Sequence, residues 1–308
     1  MAEEQCRFPF PEEADAVYRL TRGAETAWEY RPDGSRMEAF TLPGGAVRYP
    51  GQGDALVWLP QSLPADVRVP CIAAAHGSGR CADAYRSVPF YARQRELALA
   101  AGYAFAVLSN GRDCWGTDAG VGNFRAFLRE LPRRFPLTGE FGVWATSAGG
   151  VLTLRTVAEE SAIRFVIGTF PVYDLCTEYE LLASCRAAYG DVSRAEFFER
   201  IKEANPPALC ERLRGCRYYI THGDADRAVP LAANSLRLAG DLGACVRLRI
   251  VPGGVHGTKD FSYYGENTAR AFCENPAFWQ TAGKQLKLHI RRADGSEEVR
   301  ECAAVREA

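Results

Sequence analysis

The sequence predicts an α/β protein, a mostly parallel sheet of about eight strands with helices on both faces. Three observations predict it. Strand-length runs such as "VPCIAAAH" (69–76), "YAFAVLS" (103–109) and "RFVIGTF" (164–170) are too continuously apolar to have a wet face, as a strand buried on both sides requires. These runs alternate with stretches of helical periodicity, the rhythm of right-handed βαβ units. Glycine-rich or polar loops follow four of the strands.

Taken in order, the first 30 residues carry only weak periodicity, and "AWEYRPDGSRMEAFTL" reads as two short strands about an Asp33-Gly34 turn. "DALVWLP" (54–60) is the next strand, followed by "VPCIAAAH". Ser87 and Pro89 open a helix that runs through "FYARQRELALAA" and stops at Gly102. After the strand "YAFAVLS", "NFRAFLRELP" is a helix closed by Pro132. "FGVWA" is a strand, and Val151, Leu154 and Ala158 recur at helical spacing behind it. "RFVIGTF", "RYYITH" (217–222) and "VRLRIV" (246–251) are further strands, the last two separated by the helix "LAANSLRLAG". Two helix-like stretches in residues 171–215 predict a helical cap or lid, since so long a connection is rarely structureless. The tail alternates polar and apolar residues about Asp294-Gly295, a hairpin at 284–302. The expectation is one domain over residues 1–308.

The balance of 37 basic and 38 acidic residues lacks the electrostatic footprint of a nucleic-acid binder. No apolar stretch approaches the roughly 20 residues of a membrane span. The acidic start lacks a long apolar segment, so a cytoplasmic protein is expected. Eleven cysteines, an odd number with no C-x-x-C pair, argue against a disulfide framework and predict mostly small buried hydrophobes. Asp113, Asp118 and the Glu159-Glu160 pair show no metal-ligand pattern, and no metal or cofactor is expected. An exposed edge strand would permit a homo-oligomer without requiring one.

In an open parallel sheet, ligands bind beyond the carboxyl ends of the strands. There the loops offer His76-Gly77-Ser78-Gly79, then Thr146-Ser147-Ala148-Gly149, then "HGDADRAVP", then "PGGVHGTKDF". Ser147 at its strand-to-helix junction is either a nucleophile on a tight turn or an ordinary helix N-cap. The string Ala145-Thr146-Ser147-Ala148-Gly149 resembles the nucleophile elbow G-x-S-x-G of the α/β-hydrolases, with Ala145 in place of the first glycine. "HGDADRAVP" is similar to that family's H-G-x-x-D-x-x-V-P segment, and the order serine, aspartate, histidine also matches. The resemblance covers roughly residues 36–282 and implies a serine hydrolase.

A serine hydroxyl needs a base within hydrogen-bond reach. Of the four histidines, His289 lies in the tail, while His76 and His222 sit at strand ends and suit turn-closing roles. His256, in the glycine-rich loop after the last core strand, is the expected general base and acid. Asp224 or Asp226 could orient it. The family pattern implies Asp226, leaving Asp224 to bond its own turn. The oxyanion is expected to be held by the N–H of Ala148 and by that of Ser78, with Gly77 the near alternative. Asn110, Asp113, Trp115 and Tyr173 could shape the substrate pocket. The expected activity is cleavage of a small to medium carboxylic ester through an acyl-enzyme. The alternatives are a free-standing peptidase or amidase of prolyl-oligopeptidase type, or a catalytically silent binding protein.

Overall fold

The computed structural model describes residues 16–42, 51–283 and 285–304. The ends of the 1–308 span and Lys284, the first residue of the expected tail hairpin, lie outside them. Strands β1 (Val17–Arg22) and β2 (Glu25–Tyr30) come first, then β3 (Arg36–Thr41), β4 (Asp54–Leu59) and β5 (Val67–Ala75). Helices α1 (Ala84–Ser87) and α2 (Pro89–Ala100) lead to β6 (Ala104–Leu108), α3 (Asp118–Arg134), β7 (Leu137–Thr146), α4 (Gly149–Val157) and β8 (Ile163–Thr169).

The segment 171–215 holds four helices, α5 (Leu175–Leu181), α6 (Ala183–Ala188), α7 (Arg194–Ile201) and α8 (Cys210–Leu213). Strand β9 (Arg217–Gly223), helix α9 (Arg237–Leu242), β10 (Val246–Val251) and α10 (Glu266–Glu274) complete the alternation. The short β11 (Gln280–Thr281), then β12 (Lys287–Arg291), β13 (Glu297–Glu301) and β14 (Ala303–Ala304) end the described chain.

The central sheet has a main path of eight strands, β10-β9-β8-β7-β5-β6-β4-β3, as its apolar runs predict, and the two-residue strands β11, paired with β5, and β14, paired with β11, bring it to ten. The six from β10 to β6 are parallel, and β4 and β3 add antiparallel at one edge. Burial follows the composition: from Val69 to Ala75 every residue of β5 is buried, because helices cover both faces.

Two local expectations change. The strands about Asp33-Gly34 do form, with a 3-10 turn at Pro32–Gly34, but they do not pair with each other. Strand β2 pairs with β1, and β1 pairs in turn with β12 of the C-terminal hairpin, making a separate sheet of order β13-β12-β1-β2. Helix α3 is neither opened at Asn123 nor closed by Pro132. Thr117 caps it by accepting from the Gly120 N–H, and it continues to Arg134. A proline in the last turn forfeits a single backbone bond, and the Phe135 N–H still reaches Leu131 O at 3.0 Å.

The cysteines also depart from expectation. Among the described residues nine are free thiols, of which only Cys71, Cys185 and Cys216 are buried. Cys273 is disulfide-bonded.

Candidate active site

Strand β7 ends at Thr146 and α4 begins at Gly149, leaving two residues to reverse the chain. Ser147 absorbs the reversal with φ at +52°, a left-handed conformation that a non-glycine residue adopts only under constraint. The turn is clamped by Ser147 N–H to Thr169 O at 3.2 Å, and by Ser147 O accepting from Gly150 and Val172. An ordinary N-cap serine has extended backbone and accepts with its side chain from the helix. Ser147 does neither: its Oγ lies 3.1 Å from His256 Nε2.

Small neighbours make the turn possible. A Cβ on Gly149 would sit 2.0 Å from Ala75 O. Ala145, in place of the pattern's first glycine, fits because its register partners across the sheet are Ala75 and Gly168.

His256 Nδ1 is 2.7 Å from Asp226 Oδ2. The carboxylate's other oxygen accepts from Ala228 N–H at 3.0 Å and Val229 N–H at 2.8 Å. Beneath it, fully buried His222 places Nε2 at 2.8 Å from Val229 O and 3.4 Å from Asp226 Oδ2, with Nδ1 at 2.7 Å from Ser235 Oγ. Burial alone would push the Asp226 carboxyl up. Hydrogen bonds from His222 and His256 and the backbone donor of Val229 outweigh it and hold the group well below the ordinary carboxylate range. An anionic Asp226 fixes the imidazole with Nδ1–H toward it and Nε2 free to accept from Ser147. The arrangement can take a proton from the serine and return it to a leaving group.

Solved structures supply a comparison. A truncated carbohydrate esterase from gut microbiota superposes with a TM-score of 0.60 at 17% identity, covering 79% of this chain and 97% of that one. Esterase B from Lactobacillus rhamnosis gives 0.59 at 14% identity, covering 79% and 89%. A puromycin-hydrolyzing peptidase from Mycobacterium tuberculosis gives 0.58 at 20% identity, covering 77% of this chain. This chain spans only about 38% of that peptidase's length. The fold is that of the α/β-hydrolases. No family model and no curated protein matches the sequence.

In this hydrolase fold the Gly77–Gly79 loop after β5 lies against the serine turn: a Cβ on Gly77 would meet Ser147 Cβ at 3.3 Å and Tyr91 Oη at 3.2 Å. Among the described residues, the N–H groups of Ala148 and Ser78 have no intramolecular acceptor. Ala148 also stands at the start of α4, where the helix dipole favours negative charge. His76 is taken up structurally, with Nδ1 2.9 Å from Gly77 O and Nε2 2.6 Å from Ser109 O.

The remaining sequence candidates separate. Asn110 and Trp115 both hold positive φ, +45° and +43°, in the tight loop after β6. Asn110 donates to Gly120 O, whereas Trp115 packs with Ala148, Leu175, Tyr179 and Val229 in an apolar cluster between the serine turn and the helical segment. Tyr173 does not line a cleft. It is fully buried, its hydroxyl binds Asp241 at 2.7 Å and lies 3.2 Å from Cys210 Sγ, and its N–H donates to Asn234 Oδ1 at 2.8 Å. Asp224 does not close its own turn either. Its carboxylate accepts from Gly253 N–H at 2.7 Å and so ties the aspartate loop to the histidine loop.

Sequence reasoning missed Phe170. It holds φ at +38° and packs its ring 4.4 Å from the His256 ring, centroid to centroid. An aromatic residue directly after a core strand and before Pro171 was the available signal. A cleft of about 1620 Å³ opens beside Asn110, Asp113, Ser184 and Tyr189, and Ser147 is not among the residues lining it.

Proposed function

We propose that the chain is a serine hydrolase that cleaves a small to medium carboxylic ester through an acyl-enzyme. The observation that carries this reading is the continuous chain from strained Ser147 through His256 to Asp226, at 3.1 and 2.7 Å. Ser147 Oγ attacks the substrate carbonyl while His256 Nε2 takes its proton. The tetrahedral oxyanion rests on the N–H groups of Ala148 and Ser78, with Gly77 adjoining. His256 then protonates the departing alcohol, and a water activated by the same nitrogen releases the acid. Asp226 stabilises the imidazolium and fixes its tautomer.

A peptidase or amidase of prolyl-oligopeptidase type is the second reading. What favours it is the likeness to the puromycin-hydrolyzing peptidase and to an acylaminoacyl peptidase, of which this chain spans about 38% and 40%. The esterases match over 89% and 97% of their length, which supports the ester reading.

The test is fluorophosphonate labelling of wild type beside Ser147→Ala, with p-nitrophenyl acetate, butyrate and octanoate turnover on the same samples. Label and turnover in the wild type, both lost in the variant, are expected. Label without ester turnover would select the peptidase. A folded wild type that neither labels nor turns over would point to a silent binding protein.

A further inference from the structure

The Gly77–Gly79 loop has a second set of restraints that the reaction scheme does not use. Asp113 Oδ1 accepts twice from it, from Ser78 Oγ and from Gly79 N–H at 3.0 Å. Gly79 N–H also donates to Arg112 O at 2.7 Å, and Arg112 Nη2 returns a bond to Gly79 O at 3.2 Å. The loop that brings these groups is itself tightly turned, with positive φ at Asn110 (+45°) and Gly111 (+71°).

Ser78 Oγ lies in addition 3.2 Å from Ser184 Oγ on α6. One hydroxyl has one proton. Ser78 gives its proton to the carboxylate, so Ser184 is the donor across that contact. The Ser78 side chain is therefore committed away from substrate, and its N–H is the group left over.

From this geometry we infer that Asp113 is a positioning residue: holding Ser78 Oγ and Gly79 N–H together, it keeps the Ser78 N–H turned toward the oxyanion formed on Ser147. Ser184 carries the same restraint into the helical segment. The inference rests on the Ser147 reading above. Its physical basis is preorganisation: a donor fixed in advance stabilises the oxyanion without reorganising during the reaction. A loop of two glycines and a serine needs an external anchor to stay fixed, since glycine leaves its backbone free.

The experiment compares wild type, Asp113→Asn, Asp113→Ala, Ser78→Ala and Ser184→Ala. It measures kcat and KM for p-nitrophenyl acetate, the fluorophosphonate labelling rate, inhibition by an aryl trifluoromethyl ketone, and melting temperature. Asp113→Ala is expected to lose about 10- to 100-fold in kcat, part of the 10²–10³ that a whole oxyanion donor supplies. KM should stay within about threefold, the signature of an interaction made in the transition state. Labelling rate and ketone affinity should fall with kcat. Asp113→Asn, which keeps the accepting oxygen, should retain most activity, and Ser78→Ala, which keeps the N–H but loses its anchor, should resemble Asp113→Ala.

Wild-type kcat and labelling in a folded Asp113→Ala would overturn the inference. So would equal losses in the Asn and Ala variants, or a KM effect with unchanged ketone affinity. Should Asp113→Ala not fold, Ser78→Ala decides alone, with wild-type kcat counting against the inference. A wild type that takes no label removes the Ser147 reading itself, and that result is read before any variant is compared.

Discussion

Within the site, two glycines do different jobs and their substitutions separate stability from rate. Gly149→Ala drives a methyl to 2.0 Å from backbone oxygen of β5, which no side-chain movement relieves. The expected cost exceeds the roughly 1–3 kcal/mol of ordinary overpacking, read as a lowered urea midpoint or loss of soluble protein. Gly77→Ala meets its neighbours at 3.2–3.3 Å, a contact that small shifts absorb. It should leave the melting temperature nearly unchanged yet slow ester turnover at least about tenfold, because the displaced group is Ser147. Asp226 gives a third case. Its folded value lies below its ordinary value of 3.8, so its contribution to stability is present above that pH and fades as pH falls through and below it. Asp226→Asn should flatten this acid limb in urea titrations at pH 7 and pH 3, and lower kcat by roughly 10³–10⁴ through loss of the imidazole's orientation. The sequence placed Ser147, Asp226 and His256 in loops at one sheet edge because strand ends are legible from apolar runs. The fates of Tyr173 and Asp224 were not legible, since each depends on partners far along the chain, Asp241 and Gly253.

Among the elements, α5 joins the helical segment to the aspartate loop through one buried acid. Glu178 is fully buried, its Oε1 accepts from Asn234 Nδ2 at 3.0 Å, and Asn234 also donates to Pro230 O. Burial, reinforced by the charges of Asp226 and Asp174 and only partly offset by the Asn234 bond, pushes its carboxyl up to about 8. Stability from this group is therefore complete below the ordinary value of 4.5 and is lost as pH rises through about 8. Glu178→Gln keeps the Asn234 bond and removes the ionisation. The variant should melt at a higher temperature than wild type at pH 8 to 9 and close to it at pH 5. Core strands and most helices were readable because a buried strand cannot conceal its composition. The partner of β2 was not, because a short amphipathic strand carries no address for the strand it pairs with.

For the whole molecule, the feature to test is the four-stranded sheet β13-β12-β1-β2. It buries Tyr18, Leu20, Leu288 and Ile290, and Tyr18 and Trp28 pack against Trp279 beside the central sheet. A variant ending at residue 283 strips β1 of its β12 partner, leaving it paired with β2 alone, and exposes that aromatic cluster. It should melt well below the full chain, while turnover per fluorophosphonate-labelled molecule stays unchanged, because no site residue lies in those strands. The register pairs Val17 with Arg291. Nearly the whole span between Val17 and Arg291 must be synthesised before β1 can find β12, and at roughly 5–20 residues per second the wait is on the order of tens of seconds. Closing so long a loop is slow for entropic reasons as well. The nascent β1–β2 hairpin thus spends synthesis with a bare edge and unburied aromatics, a natural point for a chaperone to hold the chain.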